Sequence, residues 1–151
     1  MVKAAYALSL VAISAIGSAA WHASVLGSST QGSWTTAQTI VIRDNAAFRA
    51  AWSQLYPMAA RRPALPAVDF ERYRVLIVAA GSKPTGGYRL ALSNAAMIKD
   101  SAVITLTFFT PPSGCGVTQD ITTPAIALAM PVAPLPFRIN SQERADTVRC
   151  N

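Results

Sequence analysis

Apolar and polar positions recur with different periods along this chain, and the periods mark out its elements. Val75 to Ala80 is an apolar run, six residues without a polar one. A short run of this kind reads as a strand covered on both faces. It breaks at Gly81, and a polar loop with Pro84, Gly86 and Gly87 follows. The chain then alternates, with Tyr88, Leu90 and Leu92 on one side and Arg89, Ala91 and Ser93 on the other. Such alternation predicts a strand with one wet face. Together, Val68 to Leu92 predicts a central β-hairpin closed by a stiff loop.

Upstream, Thr35 to Arg43 has strand composition. Asp44 is placed to cap a helix from about Asn45 to Tyr56, because its carboxylate can accept amide hydrogens of the first turn. Phe48, Trp52, Leu55 and Tyr56 make one apolar stripe for packing on a sheet, and Pro57 ends the helix. Met58 to Ala67 reads as a linker carrying Arg61, Arg62, Pro63 and Pro66. Downstream, the chain turns between Asn94 and Ser101, through Lys99 and Asp100, into a strand from Ala102 to Thr110. An irregular loop begins at Pro111. Val117 to Thr122, Ala125 to Met130 and Phe137 to Asn140 are short strand candidates, and Ser141 to Asn151 is a charged tail. One helix and five to seven strands predict an α+β fold: a β-rich antiparallel sheet or sandwich with one main helix packed on it. Residues 35–151 form a single domain, as suits this length. Residues 21–34, rich in Ser, Gly and Thr, read as a flexible lead or a partly ordered edge.

Composition adds a compartment. Hydrophobic residues make up 52% and charged ones 13%, which excludes a disordered chain. Part of the apolar excess lies in Met1 to Ala20, which has a basic start at Lys3, an apolar stretch from Ala4 to Ile16 and a small-residue exit through Ser18 and Ala20. That is the form of a secretory signal peptide cleaved before Trp21. The apolar stretch is short for a membrane-spanning helix, which needs roughly 20 residues, although a retained anchor is the competing reading. No membrane span is expected after cleavage, and the predicted location is the periplasm or the exterior. Removing Lys3 with the signal leaves twelve basic against seven acidic residues, net +5. The basic residues are scattered rather than run together with aromatics, which argues against nucleic acid as a partner. They suit a solvated surface facing anionic envelope components.

Cys115 and Cys150 are the two cysteines. In an oxidising compartment a disulfide between them is the natural outcome. It would close a loop of about 35 residues, worth roughly 3–4 kcal/mol in the chain-entropy model. A pair of free thiols is the alternative.

No catalytic constellation is legible. His22 is the single histidine and lies in the lead, away from any nucleophile or acid that would complete a Cys-His or Ser-His-Asp set. One histidine, two distant cysteines and dispersed acids have no metal-ligand spacing. Asp69, Glu71, Asp100 and Asp120 are too scattered to read as a hydrolytic pair. Gly81, Gly86 and Gly87 lack the helix and the lysine–serine/threonine ending of a phosphate loop. Neither a cofactor nor an enzymatic activity is expected. Binding residues favour exposed loops on a rigid sheet, and two loops qualify. The first supplies Lys83, Pro84, Thr85, Gly86, Gly87 and Tyr88. The second, Pro111 to Gln119, supplies Gly114, Gly116, Thr118 and Gln119. Pro84 and the paired glycines would preorganise the first loop, although a glycine pair can also simply close a hairpin.

These residues carry a resemblance. Val68-Asp69-Phe70, the apolar strand, Gly81, Lys83 to Tyr88, Pro111 to Gln119, Thr122 or Thr123, and Pro124 resemble the C-terminal domain of the PrcB-type protease complex subunits. The likeness extends from about Asp44 to Asn140, and its most specific part is the two loops in combination. It implies an exported bacterial protein of the kind whose founding type associates with and stabilises a surface-located chymotrypsin-like protease. Lys83 to Tyr88 (KPTGGY) is also similar to the NPTTGY loop of chagasin-type cysteine protease inhibitors, whose other two loop signatures are absent here. The expected function is a non-enzymatic protein-binding module, an accessory or stabilising subunit of an extracytoplasmic protease complex. The alternatives are a protease inhibitor inserting the Lys83–Tyr88 loop and an envelope structural protein without a defined ligand.

Overall fold

In the computed structural model, which describes residues 21–132 and 136–148, the apolar run occupies the strand Tyr73–Ala80. Seven strands and one α-helix follow the chain: β1 (Ser24–Ser29), β2 (Ala37–Ile42), α1 (Asn45–Leu55), β3 (Tyr73–Ala80), β4 (Arg89–Ile98), β5 (Ser101–Thr110), β6 (Ala125–Pro131) and β7 (Phe137–Ala145). A short 3₁₀ turn, Ala59–Arg61, interrupts the linker after α1. The expected leader Met1–Ala20 and Cys150 lie outside the described residues.

The strands form two sheets, ordered β1-β6-β3-β2 and β4-β5-β7. The first sheet is covered on both faces, which explains the uninterrupted apolar run. Val75, Ile77 and Ala79 share a core with Phe48, Trp52 and Leu55 of the helix, whereas Leu76 packs with Leu90, Ile104 and Leu106 of the second sheet. Strand β6 divides in the same way. Its small Ala125 and Ala127 lie in the helix-side core, and its larger Ile126, Leu128 and Met130 lie between the sheets. Small residues under the aromatic helix stripe let side chains interdigitate at crystal-like density.

The helix begins as its sequence predicts. Asp44 is extended, and its carboxylate accepts from the Ala47 amide at 2.8 Å, a cap worth about 1 kcal/mol. Trp52 donates its indole N–H to the Pro63 carbonyl at 2.9 Å, which holds the linker against the helix. Tyr56 donates its hydroxyl to the Ser28 carbonyl at 3.0 Å, fastening the end of the helix to β1.

Four expectations change. The predicted β3–β4 hairpin does not form, because β2 and β6 already occupy both edges of β3. The chain therefore crosses to the second sheet, turning at Gly81 with φ +76°. A Cβ there would lie 2.8 Å from the Ala37 nitrogen and in a backbone conformation L-residues avoid. The true hairpin is β4–β5, closed by Lys99 and Asp100 between the paired Ile98 and Ser101. Val117 to Thr122 is not a strand; its end forms single bridges, Lys83 to Thr122 and Gln31 to Thr123. The lead 21–34 contains β1, an edge strand paired with β6. Finally, β7 runs to Ala145 and pairs parallel to β5, whereas the other strand pairs are antiparallel. Its side chains are almost all exposed, so main-chain pairing rather than apolar patterning defines it.

Candidate protein-docking site

The two candidate loops meet at the end of the sandwich where β3 and β5 finish and β6 begins. Lys83 donates its amide to the Thr122 carbonyl at 2.7 Å, and the Thr122 amide donates back to the Lys83 carbonyl at 3.0 Å. Thr122 also donates its hydroxyl to the Thr85 carbonyl at 2.8 Å. The Gly86 amide donates to the Thr118 carbonyl at 2.9 Å. Four bonds thus make one surface of two segments separated by some thirty residues of chain. A surface tied in this way loses little conformational freedom on binding.

Each predicted residue has a distinct place in it. Lys83, Thr85 and Tyr88 are half-buried, Gly86 is buried, and Pro84, Gly87, Gly114, Gly116, Thr118 and Gln119 are exposed. Tyr88 stacks on Phe108 with ring centroids 5.7 Å apart and 20° between planes, and the Lys83 ammonium lies 5.1 Å from the centroid of that ring. The aromatic pair and the cation fix the base of the first loop on β5. Gly86 lies so close to Thr118 that a side chain there would meet the threonine hydroxyl. The first loop therefore leans on the second rather than projecting. In the second loop the Cys115 amide donates to the Pro112 carbonyl at 3.2 Å, a turn completed by Gly114 at φ +81°.

Beneath the loops lies an ion pair. Arg89 donates to Asp146 at 2.7 Å, and Asp146 is 3% exposed. The Arg89 guanidinium also sits 3.6 Å from the centroid of Phe109. Asp146 closes one side of a shallow cleft of about 250 Å³ lined also by Gly87, Pro111, Cys115, Val117 and Thr118.

Sequence reasoning missed two contributors. Asp146 falls in the charged tail 141–151, where nothing local marks it as buried. Ile121 was placed within a strand, yet it is 69% exposed on the same loop that carries Thr118 and Gln119. Its signal was available in the polar context Gln119-Asp120-Ile121-Thr122-Thr123, where no alternation supports an inward-facing residue.

Among the described residues, no group of three His, Cys, Asp or Glu side chains could hold a metal ion. No helix among them is long and apolar enough to cross a membrane.

Residues 74–131 match the family model described as PrcB C-terminal. The matched segment runs from Arg74 in β3 to Pro131 in β6, so it contains both loops and the second sheet except β7. It is narrower than the resemblance from about Asp44 to Asn140, leaving out α1 with its Trp52, Val68-Asp69-Phe70 and the first residues of β7. No curated protein and no solved structure matches the chain.

Proposed function

With residues 74–131 a PrcB C-terminal match as the premise, we propose that this protein is an exported, non-enzymatic binding module, an accessory or stabilising subunit of an extracytoplasmic protease complex. The observation that carries this reading is the joined loop surface within the matched segment. It is held by reciprocal backbone bonds between Lys83 and Thr122, and it presents Ile121 exposed among the polar residues Gln119, Asp120, Thr122 and Thr123 of its own segment. A rigid patch with an exposed aliphatic anchor and a polar rim is the anatomy of a docking site.

The test uses the protein immobilised in envelope extract from its own cells. A protease should be retained in stoichiometric amount, and its half-life should lengthen when the two are mixed after purification. Ile121→Asp should weaken retention about tenfold or more, as truncating an interface anchor does, while the melting temperature stays unchanged because the side chain is exposed. A protease held equally by wild type and Ile121→Asp would overturn the assignment of the surface. Retention of no protease at all would favour a structural role in the envelope. The inhibitor reading requires the Lys83–Tyr88 loop to enter a cleft, and the buried position of Gly86 gives it no support.

Export by the Met1–Ala20 leader and a disulfide between Cys115 and Cys150 belong to the same proposal. Protein recovered outside the cytoplasm should begin at Trp21, and reduction should raise its intact mass by two hydrogens. A chain recovered with Met1 in place, or a mass unchanged by reduction, would remove the corresponding part.

A further inference from the structure

The opposite end of the sandwich carries a second feature, remote from the loops. There the sheets part between the starts of β3, β5 and β7 and the ends of β2 and β6. The gap is a cleft of about 210 Å³ whose walls include Trp21, Arg43, Arg74, Met130, Val132 and Phe137. Two arginines and, among the described residues, no acidic residue line it. Arg74 is oriented by main-chain oxygens alone, donating to the carbonyls of Phe70 and Tyr73. Neither arginine forms a salt bridge among the described residues. Trp21 also lines the cleft, and its indole Nε1, enclosed beside it, has no hydrogen-bond acceptor among the described residues. Buried donors are satisfied in the great majority of proteins, and leaving one unpaired is costly.

From this juxtaposition we infer a binding site for a carboxylate attached to a single apolar group, the chemistry of an apolar amino acid with a free α-carboxylate. The cleft is smaller than the roughly 300–1,000 Å³ of sites that enclose drug-sized ligands. That size suits one side chain rather than an acyl chain. Guanidinium groups are the preferred partners of carboxylates, which they bind through paired, charge-assisted hydrogen bonds. Met130, Val132 and Phe137 supply the apolar contact, and methionine adapts to ligands of varied shape. The ligand is either a free small acid or the C-terminal residue of a peptide. The two share this chemistry and differ in what precedes the carboxylate.

The isotope-labelled full chain, titrated with N-acetylphenylalanine, tests the site. The indole N–H resonance of Trp21, identified by its loss in Trp21→Phe, should shift and saturate. The corresponding amide should bind at least about tenfold more weakly, since the charge-assisted bonds are lost. Arg43→Gln should weaken the acid by a similar factor without lowering the melting temperature, because Arg43 is exposed and braces no backbone group. A peptide ending in phenylalanine with a free carboxylate, if it binds more tightly than N-acetylphenylalanine, assigns the site to protein C-termini. Equal affinity assigns it to free acids. No shift at millimolar acid, equal binding of acid and amide, or indifference to Arg43→Gln would each overturn the inference.

Discussion

Ile77→Asp is expected to leave no cooperatively folded protein at 25 °C. Ile77 is fully buried at the middle of β3, paired with Ile40 of β2 and Ala127 of β6, and belongs to the helix-side core. The substitution removes about 2–3 kcal/mol of apolar burial. It also sets a carboxyl group in an apolar layer, where an unsatisfied polar group costs a further ~1–3 kcal/mol and an ionised one far more. The sum reaches the lower part of the 5–15 kcal/mol range of whole-domain stabilities. Urea denaturation followed by near-ultraviolet circular dichroism measures it. Ile77→Val, which keeps the shape, should cost only about 0.5–1.5 kcal/mol. A folded Ile77→Asp protein within about 2 kcal/mol of wild type would mean that β3 is not the doubly covered strand described.

The second large effect concerns the joined loops. Gly87 has φ +87°, and a Cβ on it would lie 2.9 Å from Pro111 Cβ and 3.3 Å from Val117 Cγ1. Gly87→Val therefore combines left-handed backbone strain of about 1–2 kcal/mol with overpacking of about 1–3 kcal/mol against the second loop. The expected outcome is a loss of about 2–5 kcal/mol in stability, together with loss of partner retention under conditions where the variant remains folded. Gly114→Val is the matched comparison. Its φ is also positive, but nothing lies within 4 Å of the added Cβ, so it carries the backbone strain without the collision. Equal losses in the two variants would show that contact between the loops contributes nothing. A greater loss at Gly87 measures the cost of forcing the two loops apart.

Much of the scaffold was legible because it rests on local rules. Asp44 and Pro57 bound the helix through capping and through the exclusion of helix before proline, and α1 ends within one residue of the predicted position. The six apolar residues of β3 announced two covered faces, and both covers exist. The error came in choosing the partner of β3. A glycine-rich loop between two strand-like stretches suits a hairpin equally well whether or not the edge of the first strand is free. Edge occupancy is a non-local property: β2 arrives from before the helix, and β6 from beyond the second loop. Part of β7 escaped for the opposite reason. Only Phe137 to Asn140 reads as a strand; beyond it the sequence to Ala145 has few apolar positions, so the hydrogen bonds that extend β7 leave no trace in hydropathy.

The candidate docking site divides along the same line. The glycines, prolines and threonines of Lys83–Tyr88 and Pro111–Gln119 are enough to read two stiff loops and a domain resemblance that the match over residues 74–131 supports. That these loops are one surface follows from the folded arrangement alone. The bonds from Lys83 and Gly86 to Thr122 and Thr118 join positions that no sequence period relates. The same holds for the burial of Asp146 beneath them and the exposure of Ile121 beside them. The physical reason is reach. Propensity, capping and alternation act within a turn or a strand, whereas the end of a sandwich is assembled from whichever loops the sheet order brings there.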